Sequence, residues 1–358
     1  MDKKDKISEV KKDKSELTYP FQLGLFELKA GNERYYSNTI EFWDVIPKFF
    51  YGRMQRQQIV DEKANSVMNV LPSLVRKIKY NTEKASYKIT INPAIIVVED
   101  KKTGKNISTY YYPSTREELI EEVLRKYVAL GRGGFFDDDV SVFFSLREIQ
   151  QDLQKSGHTY SIVEIKEALD IMSKTHIEIV SDRGDIEYKG NILITLALAK
   201  KGRGGTKCFC SLNPLVSKSI KELRFRKYDY TKCIQYQIPL SRYLHKRISH
   251  YYKQLDKETP YIILLSTLFN DSGYSMHDNM TKNEQRIEAA LQELKERETI
   301  VNYKIEAIKE KNIKMKTVDY KIYIIPSESF VSDIISANTK ENQNNMHARI
   351  MTKHGNLK

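Results

Sequence analysis

The sequence predicts an α+β fold in which two similar units follow one another along the chain. The first observation is a pair of short helical segments within residues 145–174, separated by a turn. The second is that the apolar spacing Ile-x-x-Ala-Leu-x-x-Met, which starts at Ile165, recurs from Ile287 with leucine in the last place. The third is that stretches typical of β-strands follow both helical segments. Because a pattern that recurs at a fixed offset indicates a repeated structural unit, we predict units over residues 114–235 and 236–330.

Before these units the chain is predicted to form an N-terminal α/β extension. Residues 1–16 mix both charge signs and lack an apolar face, so we expect a disordered tail there. Residues 17–113 are dense in aromatic side chains and should be folded. At the other end, residues 331–358 are mostly polar, and a second disordered tail is predicted.

Within the extension, two features predict local structure. Extended runs at 87–98 and 107–112 predict a β-hairpin, and Pro93 inside the first run indicates an edge strand or a bulge. An apolar cluster close to the only tryptophan must be buried, either in the domain core or against a partner, and we favour the core. Its members are Phe42, Trp43, Val45, Ile46, Phe49 and Phe50.

Three helices of the first unit begin with the same signal. Ser114, Ser145 and Ser161 each have glutamate three residues later, which is the spacing of a capping box. Gly157 ends the second helix, and alternating residues from Ile177 predict a β-hairpin, with further strands at 192–198 and 207–212. Helices joined by a glycine turn and followed by a hairpin are typical of a winged helix, a helix-turn-helix with a β-hairpin wing.

The second unit repeats this order. A helix over 240–255 would turn Arg242, Lys246 and Arg247 outward, and an apolar helix is predicted over 261–269. The third helix carries the repeated apolar spacing, and either Thr281 (with Glu284) or Asn283 could cap it. Strands at 300–305 and 318–325 then form the second wing, joined by a lysine-rich loop.

The charge of the chain indicates a polyanionic partner. The formal net charge is +12, and residues 200–257 alone hold 15 Lys or Arg against three acids. A basic protein with its charge concentrated in one region fits nucleic acid. The alternatives are a solvated basic surface or an exposed linker without a ligand.

In a winged helix the third helix enters the major groove of DNA. In the second unit we therefore predict base contacts by Lys282, Asn283, Gln285, Arg286 and Lys295, because amide and guanidinium groups match adenine and guanine edges.

In the first unit Ser161, Lys166 and Lys174 favour DNA contact, whereas three acids of the same helix would repel phosphate. Those acids are Glu164, Glu167 and Asp170. The first unit could instead dock through its wing or mediate protein contacts.

A larger set of basic residues is predicted to contact phosphates. They are Lys200, Lys201, Arg203, Lys207, Arg224, Arg226, Lys227, Arg242, Lys246, Arg247, Lys311, Lys314 and Lys316.

Catalytic, metal and membrane signals are weak or missing in the sequence. The two Gly-Arg-Gly-Gly segments at 131–134 and 202–205 lack the Gly-Lys-Ser/Thr of a P-loop. The spacing of His245 and His250 favours solvated or DNA-facing roles over a metal, and the aspartates at 137–139 favour a surface turn. Three cysteines suit small core residues in a reducing cytoplasm. We expect no enzyme activity, cofactor, metal, signal peptide or membrane span.

The tandem arrangement between Ser114 and Pro326 resembles the replication initiator (Rep) proteins of theta-replicating, iteron-bearing plasmids, the TrfA-like group among them. The resemblance rests on this architecture, the repeated apolar spacing and the segments Phe-Phe-Ser-Leu-Arg-Glu-Ile at 143–149 and Glu-Phe-Trp-Asp-Val-Ile-Pro-Lys-Phe at 41–49.

It implies a bacterial cytoplasmic, DNA-associated protein that binds direct repeats in double-stranded origin DNA and melts an AT-rich stretch nearby. It also implies recruitment of a host initiator and the replicative helicase, copy control and a homodimer that represses its own gene. One alternative is a winged-helix transcriptional repressor that binds a palindrome. Another is a structural or partitioning protein that uses the units for protein contacts.

Overall fold

A computed structural model gives the fold. It describes residues 36–39, 41–51, 56–60, 72–80, 85–99, 102, 104, 106–136, 139–184, 187–198, 207–221, 226–251, 259–310 and 316–339. Within them the chain is a mixed α+β protein whose helices alternate with small antiparallel sheets.

The first half runs from β1 to α5. Its elements are β1 Tyr36–Thr39, α1 Glu41–Val45, β2 Arg56–Val60, β3 Leu74–Tyr80, β4 Ala85–Asn92, β5 Ala94–Glu99, β6 Asn106–Tyr111, α2 Thr115–Ala129, β7 Gly133–Phe136, β8 Asp139–Phe144, α3 Leu146–Lys155, α4 Ile162–Lys174, β9 His176–Ser181, β10 Glu187–Asn191, β11 Leu193–Ala197, β12 Cys208–Leu212 and α5 Pro214–Lys221.

The second half runs from β13 to a C-terminal helix. Its elements are β13 Arg226–Asp229, α6 Tyr230–Ile234, α7 Pro239–Tyr251, β14 Tyr261–Leu264, α8 Leu265–Ser272, α9 Met280–Glu296, β15 Ile300–Lys309, β16 Thr317–Pro326 and α10 at 328–339.

All strand pairs among the described residues are antiparallel. The sheet orders are β10-β9-β4-β3, β11-β12-β8-β7, β14-β16-β15, β2-β6-β5 and the pair β1-β13. Pro93 separates β4 from β5, and these strands belong to different sheets. The prediction of one continuous run with a bulge is therefore wrong, whereas the edge position that Pro93 also indicated is found for β5. This strand lies at the edge of its sheet and pairs with β6 as a hairpin. A residue without an N–H suits the point where the chain leaves one sheet for another.

Two large hydrophobic cores lie in the described part of the chain. The first joins the inward faces of α2, α3 and α4 to the strands β4, β8, β9 and β12. The second joins α7, α8 and α9 to β16 and α10. The cores meet at α6, where Tyr230 and Ile234 belong to the first and Cys233 to the second.

Most of the apolar cluster of the extension lies in the first core, as the sequence favours. Trp43, Val45 and Ile46 are buried there and Phe42 packs against them. Phe49 is also buried, and Phe50 is half-buried. Cys208, Cys210 and Cys233 are buried, as the sequence favours.

The three capping boxes of the first unit are confirmed. Ser145 and Ser161 each accept a hydrogen bond from the backbone N–H of the glutamate three residues later, and that glutamate accepts one from the serine N–H. Ser114 and Glu117 form the third box. The starts of α2, α3 and α4 thus follow from local sequence.

Two predicted segments differ from the structure. Residues 261–269 form strand β14 followed by α8 rather than one helix, because Ile263 points into the core while Ile262 and Leu264 on either side are exposed, which is the alternation of a strand. Residues 331–339 are helical rather than disordered, since apolar residues at helical spacing, Ile334 and Ala337 among them, are buried. Helix α7 ends at Tyr251, and the rest of its predicted span lies outside the described residues.

Candidate nucleic-acid interface

Helix α9 is capped by Asn279, whereas the sequence indicated Thr281 or Asn283. Asn279 is its N-cap and accepts a hydrogen bond from the Thr281 N–H at 3.0 Å, so neither Thr281 nor Asn283 caps the helix. Asn279 satisfies one of the exposed N–H groups of the first turn. The preceding loop, which starts after Gly273 with φ 87°, delivers the chain to this cap.

The base contact predicted for Asn283 is wrong. Its side chain is fully buried, accepts a hydrogen bond from the His277 N–H at 2.8 Å and donates one to the His277 carbonyl at 2.7 Å. Both functional groups of the amide are therefore used to hold the loop before α9. Asn283 is a structural residue of the loop.

The remaining predicted residues of α9 reach solvent. Lys282, Gln285 and Arg286 are exposed in the first turns, and the Arg286 guanidinium lies 3.3 Å from the Ser275 carbonyl. Lys295 is exposed in the last turn, about 20 Å from Lys282 along the axis at 1.5 Å per residue. The first three can act together at one end of the helix, and Lys295 stands apart from them.

Strands β15 and β16 form a long antiparallel ribbon beside α9. Tyr320 of β16 donates a hydrogen bond to Glu284 of α9 at 2.8 Å and so joins the ribbon to the helix. Lys309 and Lys316 are exposed towards the tip of the ribbon. The predicted contacts Lys311 and Lys314 lie in 311–315, outside the described residues.

On α4 the predicted contacts Ser161, Lys166 and Lys174 are all exposed. Ser161 caps the helix, and Lys174 is paired with Asp170 at 2.8 Å. Val163, in the first turn, is 75% exposed. The first two turns therefore present a small polar, an apolar and a basic side chain to solvent.

Each acid on α4 has a partner. Glu164 is the capping-box acid, and hydrogen bonds from Ser161 lower its pKa. Glu167 accepts hydrogen bonds from Arg116 at 2.9 Å and Tyr111 at 2.7 Å. With Asp170 held by Lys174, the net negative charge that the sequence suggested for this helix face is largely offset.

The predicted phosphate contacts outside these elements are only partly described. Lys207 is exposed at the start of β12. The backbones of Arg226 and Lys227 lie in β13, paired with β1. The rest, Lys200, Lys201, Arg203 and Arg224, lie outside the described residues.

Arg242, Lys246 and Arg247 do not point outward, as predicted, but inward. Arg242 is fully buried, and its Nη2 lies 2.8 Å from Glu118 of α2. Lys246 lies 2.9 Å from Glu122, and Arg247 lies 2.9 Å from Asp271. A buried cation requires such a partner, so these residues bind the protein itself rather than DNA.

The pairs Glu118–Arg242 and Glu122–Lys246 form a two-rung charge ladder between α2 and α7. Acids four residues apart on one helix face bases four residues apart on the other, in the same order along both. Although burial alone raises the pKa of a carboxyl, Arg242 and Lys246 hold the pKa of Glu118 below its usual value. Burial alone lowers the pKa of Lys246, yet Glu122 and Glu118 raise it above its usual value. Glu118 and Lys246 are thus both charged at neutral pH.

The ladder extends to the N-terminal segment. Arg125 of α2 pairs with Asp44 at 2.6 Å, and the Trp43 indole N–H donates to Glu121 at 2.5 Å. Lys48 lies over the Trp43 ring and 3.5 Å from Glu121. The sequence-based predictions missed this network, although four acids close together in α2 of a basic chain are a signal for it.

His245 and His250 are also buried, so the expected solvated or DNA-facing roles are wrong. Burial, aided by Lys232 and Lys246, lowers the pKa of His245 to about 3. The imidazole is therefore neutral at neutral pH. Its Nδ1 lies 3.2 Å from the Tyr236 hydroxyl.

Within the described ranges, no group of three or more His, Cys, Asp or Glu side chains is placed to hold a metal ion. In the same part of the chain, no helix has the length and apolar character needed to cross a membrane.

Comparisons with solved structures give distant likenesses. The chain is similar to a crystal structure of domains 2 and 3 of RctB, with 12% identity over 80% of this chain and 98% of that one and a TM-score of 0.49. A second RctB structure of the same domains gives 10% identity over 82% and 99%, with a TM-score of 0.44. The Pi initiator protein in complex with iteron DNA gives 13% identity over 60% and 94%, with a TM-score of 0.40. No family model and no curated protein matches the sequence.

Proposed function

We propose that this chain is a sequence-specific double-stranded DNA-binding protein that initiates plasmid replication at repeated origin sites. The observation that carries the proposal is the exposed first half of α9, where Lys282, Gln285 and Arg286 face solvent beside the β15–β16 ribbon. Amide and guanidinium groups at the start of an exposed helix are the groups that read adenine and guanine in the major groove.

The order of elements supports two winged helices, over residues 114–235 and 236–330. In each, three helices precede two consecutive antiparallel strands. The first set is α2, α3 and α4 with β9–β10, and the second is α7, α8 and α9 with β15–β16. The repeated apolar spacing marks the buried face of the third helix in both units. Its four apolar residues between Ile165 and Met172 lie in the first core, and its four between Ile287 and Leu294 lie in the second. We take α4 and α9 as the recognition helices.

The charge ladder suits a protein that binds two adjacent half-sites. It joins the first helix of one unit to the first helix of the other, so both recognition helices belong to one body. Successive major-groove faces on one side of DNA are about 34 Å apart, which is within reach of two units on one chain. Binding of direct repeats would then precede melting of an AT-rich stretch and recruitment of the host initiator and helicase.

Two variants test the proposal by separating base reading from phosphate contact. In Arg286→Ala, loss of a base contact should cost about 1–3 kcal/mol on the specific site and relax the base preference. In the matched variant Lys316→Ala, on the ribbon, affinity for all duplexes should fall alike and the log–log salt slope should lose about 0.9. Competition binding with origin and random duplexes measures both. Unchanged sequence preference in Arg286→Ala would refute α9 as the reading helix.

A further inference from the structure

An exposed cluster of three phenylalanine rings lies on the outer face of the sheet β11-β12-β8-β7. Phe136 on β7 is 51% exposed, Phe143 on β8 is 43% exposed, and Phe209 on β12 is half-buried. Their ring centroids lie 5.2–5.9 Å apart, in edge-to-face and tilted arrangements. We call these three residues the phenylalanine platform.

The first core does not require the platform. Strand residues alternate between the two faces of a sheet, and the neighbours Val142 and Cys210, which face the core, are fully buried. Large aromatic rings that remain on the solvent side as a group are typical of an interaction surface. The charged residues around the rings indicate the kind of partner.

Basic residues collect at one end of the platform. Strands β7 and β12 both run antiparallel to β8, so both begin at the end of the sheet where β8 stops. Arg132 precedes β7, Lys207 precedes β12, and Arg147 lies in the first turn of α3, which follows β8. All three are exposed. Arg132 forms an ion pair with Glu148 at 3.2 Å, but a pair this exposed is weak and can yield to another anion.

A Gly-Arg-Gly-Gly segment, residues 131–134, runs into β7 at this same end. The second such segment, at 202–205, lies outside the described residues. Position 133 requires glycine because the backbone of β8 approaches it closely: a Cβ there would lie 2.2 Å from the Ser141 carbonyl oxygen. Arginine–glycine segments that accompany aromatic rings are a known means of holding single strands.

The opposite end of the platform is acidic. Asp139 is the cross-strand partner of Phe136, and residues 137 and 138 are also aspartates in the sequence. Charge thus changes sign along the strands, and a polyanion would be held at the basic end.

We propose that this face binds single-stranded DNA, with unpaired bases stacking on the platform and phosphates contacting Arg132, Lys207 and Arg147. Duplex DNA covers the faces of its bases, so only an unpaired strand can stack on exposed rings. Phenylalanine offers no hydrogen-bonding groups, so the site would be tolerant of sequence. A cationic rim also favours a polyanion over a second copy of this basic chain. The inference goes beyond the proposed reading of duplex DNA.

Fluorescence anisotropy with the full chain tests the inference. The probe is labelled oligothymidylate of about 20 nucleotides, which exceeds the ~4–16 nucleotides that one single-strand-binding fold covers. Phe143→Leu keeps the apolar volume but removes the ring, and should weaken binding roughly 5- to 150-fold. Phe143→Tyr keeps the ring and should bind like the wild type. Val97→Ala, which alters an exposed apolar residue on β5, a strand outside both the platform sheet and the β15–β16 ribbon, is the matched control and should also bind like the wild type.

Three results would overturn the inference. The first is unchanged oligothymidylate affinity in Phe143→Leu. The second is a shift in oligomeric state of Phe143→Leu, seen by sedimentation, with unchanged affinity for the oligonucleotide, which would assign the platform to self-association. The third is tighter binding of oligouridylate than of oligothymidylate, which would make it an RNA site.

Failure of the proposed function is distinguishable from failure of this inference. Arg286→Ala should impair duplex recognition and leave oligothymidylate binding unchanged, because Arg286 lies on α9 and not on the platform. Binding of oligothymidylate that depends on Phe143 would support the platform even if no specific duplex site exists.

Discussion

Removal of Arg242 should destabilise the protein strongly. Its guanidinium donates to Glu118 through Nε at 3.2 Å and Nη2 at 2.8 Å, and through Nη1 to the Tyr236 carbonyl at 2.6 Å. In Arg242→Ala, Glu118 stays buried with Lys246 at 3.7 Å as its nearest remaining cation. Breaking a buried ion pair costs about 3–5 kcal/mol, and the residual Lys246 contact places this variant towards about 3 kcal/mol.

The change should also uncouple the two cores, and the chain contains its own probe for this. Trp43 is the sole tryptophan and lies in the first core, so its fluorescence reports that core, whereas far-ultraviolet circular dichroism reports the whole chain. In urea the two signals of the wild type should change together. In Arg242→Ala they should separate, because coincident transitions require cooperative coupling.

A double variant and a control complete the experiment. Glu118→Leu combined with Arg242→Met removes both charges and should recover about 1–3 kcal/mol of the loss, since no charge of the pair is left buried. Arg286→Ala, an exposed arginine of the second half, should change stability by less than about 0.5 kcal/mol. A loss below about 1 kcal/mol in Arg242→Ala, with coincident transitions, would refute the ladder as a stabilising link.

Substitutions of His245, Asn283 and Gln285 should change the stability or the DNA affinity of the protein in distinguishable ways. Because the pKa of His245 is about 3 in the folded protein and ~6.5 when unfolded, the unfolded chain binds the extra proton as pH falls below 6.5. Stability should then fall by up to about 1.4 kcal/mol per pH unit, and His245→Gln should lessen the slope of urea stability between about pH 6 and 4.5. Asn283→Ala should lower stability by about 1–3 kcal/mol in the same assay, because it leaves both backbone groups of His277 without these partners. Gln285→Ala, two residues along on the exposed face, should instead leave stability within about 0.5 kcal/mol and reduce specific DNA binding.

Local features of the fold could be predicted from the sequence. The starts of α2, α3 and α4 follow from a serine and a glutamate three residues apart, and the atoms involved are all within one turn. The buried stripe from Ile165 on α4 follows from helical spacing alone. The strand and helix of 261–272 were harder, because a short apolar run fits either structure until its cross-strand partner on β16 is known.

Long-range pairing could not be predicted. A charged side chain is expected to face solvent, and Arg242 is buried only because Glu118, 124 residues earlier in the chain, lies against it. Asn283 has the amide side chain of a base-reading residue, but its hydrogen bond to the loop at His277 holds that amide inside the protein. Similarly, the partners of Glu167 on α4 are Tyr111 of β6 and Arg116 of α2, which the sequence of α4 does not specify.

The most direct test of the central claim is a nuclease footprint of the full chain on the DNA that flanks its gene, at two salt concentrations. We predict protection of several direct repeats next to an AT-rich segment, weakening steeply as salt rises because phosphate contacts release counterions. Protection of a single palindrome would contradict the initiator assignment and indicate a repressor. The lack of any salt-sensitive footprint would contradict duplex recognition by α9 altogether.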